Sequence, residues 1–127
     1  MVKAMEAARK AARRAQEVTY EGLCTIFEYR EVTDERTRLS SEEEIAVIEN
    51  QPCKLSFEKR NAVVQTETAA VQAQGVKLFL APEIVVRSNS KIVVTQNGVT
   101  EAYSASGKPA VYSTHQEIVL ELFRGWT

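Results

Sequence analysis

Ile92-Val93-Val94-Thr95-Gln96-Asn97-Gly98-Val99-Thr100-Glu101-Ala102-Tyr103 is the stretch that decides the fold. Two β-branched runs flank Asn97-Gly98, a dipeptide that takes the two positive φ angles of a type I′ turn at little cost. The stretch therefore predicts a tight hairpin with Thr95 opposite Thr100 and Ile92 opposite Tyr103. The same period of two continues outward in both directions. Leu23, Thr25, Phe27 and Tyr29 alternate with Cys24, Ile26 and Glu28, predicting a strand over 19–30. Val76–Ala81 is another, ended by Pro82, and 115–124 is the last, with Ile118, Leu120 and Leu122 on one face and Glu117 and Glu121 on the other. Gly107-Lys108-Pro109 reads as a turn.

Between these lie two less regular stretches. Residues 44–49 and 53–58 read as extended pieces joined through Gln51-Pro52; Pro52 cannot donate to a sheet ladder, so a bulge or an edge is expected there. Ser40 or Ser41 followed three residues later by Glu43 or Glu44 also fits a capping box, so a short helix over 41–48 competes. The sum is a mainly β fold, a small antiparallel β-barrel or sandwich of about six or seven strands with one N-terminal α-helix and a long loop. The loop spans 59–75, where Asn61, Gln65, Thr66, Thr68, Gln72 and Gln74 stand among small residues. It is too long for a hairpin turn, and long irregular connections in compact domains tend to carry function.

The chain has 127 residues, with 16 Lys+Arg against 17 Asp+Glu and a net charge of −1. That is enough for one domain with a real core, and it lacks the basic excess of a protein that binds duplex DNA by neutralising phosphates. No apolar run reaches the length of a membrane span. The first 17 residues are charged throughout and do not predict a secretory signal.

The near-neutral balance hides two blocks. Residues 1–17 carry Lys3, Arg9, Lys10, Arg13 and Arg14 against Glu6 and Glu17, net +3. Residues 31–49 carry Glu31, Asp34, Glu35, Glu42, Glu43, Glu44 and Glu49 against Arg36 and Arg38, net −5. Such blocks either sit in solvent or meet a partner of opposite sign, such as the acidic segment of a neighbouring copy.

Residues 1–18 read as a basic amphipathic helix ahead of a β-domain over 19–127. Ala4, Met5, Ala8, Ala11, Ala12, Ala15 and Val18 fall on one arc of about 140°. An alanine seam buries little area, so this helix gains little from its own domain and reads as an appendage that docks on a partner or lies loosely.

Chemistry is sparse, and no catalytic, cofactor-binding or metal-ligating set is expected. His115 is the only histidine and has Ser113 and Glu117 merely as same-face neighbours, which reads as a hydrogen-bonded structural histidine rather than part of a triad. The five glycines are isolated, so no phosphate loop exists. Cys24 and Cys53 read as reduced, half-buried thiols on strands; they make neither a disulfide framework nor, with one His, a zinc site. Phe27, Tyr29, Phe57, Phe79, Tyr103, Tyr112, Phe123 and Trp126 are expected in the core rather than on a base-stacking platform, because acids are interleaved with them as often as bases.

Leu78-Phe79-Leu80-Ala81-Pro82-Glu83, Ile92 to Gly98, Ser106-Gly107-Lys108-Pro109-Ala110-Val111-Tyr112 and His115-Gln116-Glu117-Ile118 together resemble the head-completion proteins of long-tailed bacteriophages and defective prophages. Asn50 to Phe57 and the basic helix before Tyr20-Glu21-Gly22 fit the same family. The resemblance implies a non-enzymatic β-barrel subunit of the head-to-tail connector, a stopper that closes the DNA-filled capsid. It implies a monomer in isolation that forms a ring in the virion. Portal and adaptor proteins would lie above it, a tail-joining or tail-terminator protein below, and packaged DNA would pass through. It implies assembly in the host cytoplasm, and neither a membrane nor a small-molecule substrate. The loop 59–75 would be the channel loop, holding DNA by obstruction. An adaptor or tail-joining role is the neighbouring alternative, and a β-barrel that binds single-stranded nucleic acid is the alternative of another class.

Overall fold

Asn97 and Gly98 sit at φ 54° and 77°, and the hairpin they close pairs Thr95 with Thr100 and Ile92 with Tyr103. The two threonine hydroxyls meet at 2.7 Å across it. The structure is a computed structural model that describes residues 2–59 and 74–126. Its elements are α1 (Val2–Glu17), β1 (Gly22–Thr33), β2 (Ser40–Lys59), β3 (Gln74–Leu80), β4 (Lys91–Gln96), β5 (Val99–Val111) and β6 (Gln116–Leu122). The strands form a closed antiparallel barrel in the order β1-β2-β3-β6-β5-β4.

Period-two alternation fills the interior. Cys24 and Ile26 from β1, Cys53 and Leu55 from β2, Leu78 and Leu80 from β3, Ile92 and Val94 from β4, Tyr103 and Ala105 from β5, and Ile118 and Leu120 from β6 point inward. Val86, on the connection between β3 and β4, joins them. The buried Gln116 fixes that connection by donating both hydrogens of its amide, to the carbonyls of Ala81 at 2.8 Å and Ile84 at 2.6 Å.

Several expectations are corrected. The short helix over 41–48 does not form: residues 40–59 are one strand of 20 residues, because pairing with β1 outweighs a capping box. The irregularity expected at Pro52 lies just before it. Asn50 takes φ 51°, the register slips between Cys24 and Ile26, and the Asn50 N–H turns to Thr25 Oγ1 at 3.4 Å. Gly107-Lys108-Pro109 is a bulge inside β5, with pairing to β6 resuming at Ala110; Gly107 supplies the required φ of 73°. Both cysteines are fully buried rather than half-buried, and both are free. The Cys24 thiol is held far above its usual range by its hydrogen bond to Cys53 and by burial. Of the named aromatics only Tyr103 is buried; the interior of a six-stranded barrel takes aliphatic side chains, and the rings go outside. Of the expected loop 59–75, Lys59 instead closes β2 and Gln74 and Gly75 open β3 opposite it. Asn61, Gln65, Thr66, Thr68 and Gln72 lie outside the described residues.

The barrel has one weak seam. β1 begins at Gly22, opposite Cys53, so the next part of β2 has no strand beside it there. The Gln96 side chain takes the place of a strand. Its Oε1 accepts the Leu55 N–H at 2.9 Å and its Nε2 donates to the Leu55 carbonyl at 3.3 Å. Gly22 leaves room for this approach, because a Cβ there would lie 3.1 Å from both Gln96 Oε1 and the Cys53 carbonyl oxygen.

Replacing Gln96 with leucine removes both partners of the half-buried Leu55 peptide groups. Gln96→Leu is expected to lower stability by about 1–3 kcal/mol in denaturant unfolding, whereas Thr95→Val on the exposed side of the same strand should cost less. Equal effects would show that the amide bridge does not hold the seam.

Candidate functional site

Only the first half of β1 belongs to the barrel wall: β4 pairs with Leu23–Phe27 and goes no further, and β3 pairs with β2 from Cys53 onward. Past those points β1 and β2 have only each other, through Glu28↔Ile45 out to Thr33↔Ser40. The segment that holds the acidic block is thus a two-stranded ribbon standing off the barrel. Its tip is self-contained. Asp34 Oδ1 accepts the Arg36 N–H at 2.9 Å, the Asp34 carbonyl accepts the Arg38 N–H at 2.7 Å, and the Asp34 N–H donates to the Leu39 carbonyl at 2.9 Å. Arg38 takes φ 56° to close the turn and leaves Leu39 71% exposed.

Register sorts the ribbon's charges onto two faces. On one, Arg30 stands opposite Glu43 and is tied to Glu28 Oε1 at 2.6 and 2.9 Å. On the other, Glu31 stands directly opposite Glu42, and Tyr29 opposite Glu44. Like charges facing each other across a strand pair are unfavourable, and neither Glu31 nor Glu42 has an ion-pair partner among the described residues.

Among the expected acidic interface residues Asp34, Glu35, Glu42, Glu43 and Glu44, only Glu44 makes an ion pair among the described residues. It pairs with Lys91 Nζ at 2.9 Å and accepts the Trp126 Nε1–H at 3.1 Å. The hydrogen bond from Lys91 holds its carboxyl below the usual carboxylate range, against the opposing effect of burial. Trp126 stacks on Tyr29 with centroids 5.1 Å apart, and Lys91 lies 5.4 Å and 4.8 Å from the ring centroids of Phe27 and Phe123. This aromatic and ionic clamp fastens the base of the ribbon to the barrel. Beside it lies a cleft of about 390 Å³, lined by Tyr29, Glu42, Arg87, Asn89 and Trp126 among others.

The helix also departs from its expected role in one residue. Arg13 is engaged with its own chain, donating to Glu83 Oε1 at 2.5 Å and to Glu17 at 3.2 Å. The Arg13 guanidinium holds the Glu83 carboxyl below its ordinary range, and the same hydrogen bond raises Arg13. Lys3, Arg9, Lys10 and Arg14 are exposed and form no ion pair among the described residues. No residue of α1 is buried. Tyr20 joins the helix to the barrel; burial raises the pKa of its phenol, helped by Glu17.

His115 is hydrogen-bonded at both ring nitrogens, as expected. Nε2 meets Glu117 Oε2 at 2.9 Å, Nδ1 meets Thr114 Oγ1 at 3.0 Å, and the ring stacks on Tyr112 at 4.9 Å and tilts against Phe79 at 5.6 Å. Both aromatic clusters pack on themselves beside a carboxylate, Glu44 in one and Glu117 in the other, and Phe57 stands exposed apart from them. No helix among the described residues is long and apolar enough to cross a membrane.

No family model matches the chain, and no match was found among curated proteins. Among solved structures it is similar to xkdH, a protein of the phage-like element PBSX of Bacillus subtilis, at 13% identity and a TM-score of 0.46, over 79% of this chain and 91% of that one.

The single tryptophan reports on the clamp. Because the folded-state pKa of Glu44 is depressed, its contribution is present at neutral pH and is lost as pH falls through that lowered value. Trp126 fluorescence should titrate with a midpoint below the ordinary 4.5, and Lys91→Met should move the midpoint upward. A midpoint unmoved by Lys91→Met would show that Lys91 does not set the charge of Glu44.

Proposed function

We propose that the protein is a non-catalytic structural subunit of a phage head-to-tail connector, a head-completion protein that closes the filled capsid and offers a surface to the tail. The observation that carries this reading is the ribbon. A barrel of this size closes without it, yet β1 and β2 run on past the wall into an arm whose Glu31 and Glu42 have no ion-pair partner among the described residues. Such an arm fits assembly, in which the working part is a surface that meets another subunit. A ring requires two unlike surfaces on each subunit, because a head-to-tail contact closes only when one face differs from the other. The acidic ribbon and the basic helix are two unlike surfaces on one subunit. The sequence strings of the β3–β6 half that resemble head-completion proteins agree with this reading. So does the absence of any expected catalytic set in the sequence.

The test is genetic and biochemical. Particles made without the protein should package DNA and then lose it, or fail to take tails, and purified protein added to such filled heads should restore tail joining. Particles that keep their DNA and mature normally without it would refute the connector role.

A further inference from the structure

An amphipathic helix normally lays its apolar side on its own domain. α1 does the reverse. Its half-buried residues are Arg13, Gln16 and Glu17, which share the polar side, and Arg13 is the contact to Glu83. At about 100° per residue, that side is turned roughly 140° away from the seam of Ala4, Met5, Ala8, Ala11, Ala12, Ala15 and Val18. All of these are exposed, with Met5 at 52% and Val18 at 83%. The helix is therefore held to the barrel by charge, and it presents its apolar seam outward. Lys3, Lys10 and Arg14 run along one edge of that seam within about 40° of each other.

We infer that this outward face is the seat of the acidic ribbon of a second copy of the chain, with Lys3, Lys10 and Arg14 meeting Glu31 and Glu42 and the exposed Leu39 resting on the alanine seam. Charge complementarity selects this occupant. The helix offers cations with no ion-pair partner among the described residues, and the ribbon offers a directly opposed pair of carboxylates whose repulsion a cation would relieve. Dimensions agree. Lys10 and Arg14 are one helical turn apart, about 6 Å, and directly opposed cross-strand side chains are about 5 Å apart. The free part of the ribbon, about 20 Å, matches the 16-residue helix at about 24 Å. Alanines allow the ribbon backbone to come close. The ribbon and its receptor lie on different elements of one subunit, so each copy can give one contact and receive another. This inference rests on the assembly reading above and names its contact.

Two charge-reversed proteins test it: one with Lys3→Glu, Lys10→Glu and Arg14→Glu, the other with Glu31→Lys and Glu42→Lys. Sedimentation equilibrium from micromolar to near-millimolar protein at low salt should show wild-type mass rising with concentration. Each variant alone should stay monomeric, and their equimolar mixture should associate again, which also shows that both variants are folded. Added salt should disperse the wild-type species. The contact is refuted if wild type is monomeric throughout, if either variant associates as wild type does, or if the mixture does not recover. The two readings fail separately. Variants that restore tail joining to filled heads would remove the contact and leave the connector role. Recovery in the mixture of a protein that never adds to heads would do the opposite.

Discussion

Mismatch of strand length governs this molecule. The strands that flank β1 and β2 in the barrel, β4 and β3, have 6 and 7 residues, whereas β1 and β2 have 12 and 20. Backbone polar groups in a sheet need partners, and the short neighbours supply them only to the inner halves of the long strands. The excess of β1 and β2 can pair only with itself, so closing the barrel and extruding the ribbon are one event. The bulges follow from the same constraint. Two register slips within β1–β2 and the positive φ of Asn50 bend the long strands out of the cylinder where β4 and β3 stop following them.

The same mismatch leaves the seam at Leu55. A strand that starts late on one side must be replaced by something, and the Gln96 side chain, using its amide oxygen and one of its two N–H groups, imitates a single ladder residue. Gly22 and Gln96 thus act together: the first keeps the space that the second fills.

Much of this was legible in the sequence where the cause is local. Asn97-Gly98 fixes its own turn and the pairing of Thr95 with Thr100 and Ile92 with Tyr103, and alternation along the last strand puts Ile118 and Leu120 on the face that turns out to be buried. β1 is different, because Cys24 and Ile26 on one face and Phe27 and Tyr29 on the other are all apolar. Alternation cannot choose between two apolar faces; the narrow interior does, admitting the small side chains. Gly107-Lys108-Pro109 has the composition of a turn, and only the presence of β6 alongside makes it a bulge. The two charge blocks were visible as blocks. That Arg13 and Glu44 are spent on Glu83 and Lys91 was not, since these partners lie 70 and 47 residues away.

Charge separation of this kind has a thermodynamic consequence. Exposed ion pairs contribute about 0.2–1 kcal/mol each, and an alanine seam adds little buried apolar area. A contact between helix and ribbon is therefore weak between free subunits at ordinary concentration. On a template that holds neighbouring subunits side by side, the effective concentration rises to about the millimolar range, and contacts around a ring act together. A near-neutral subunit with segregated charge can stay dispersed until a surface organises it. Raising the affinity of the pairwise contact, for instance by replacing the seam alanines with leucine, would favour association away from the template. In the proposed assembly, the weakness of the alanine seam would let the place of assembly, rather than the amount of protein, decide when the arms engage.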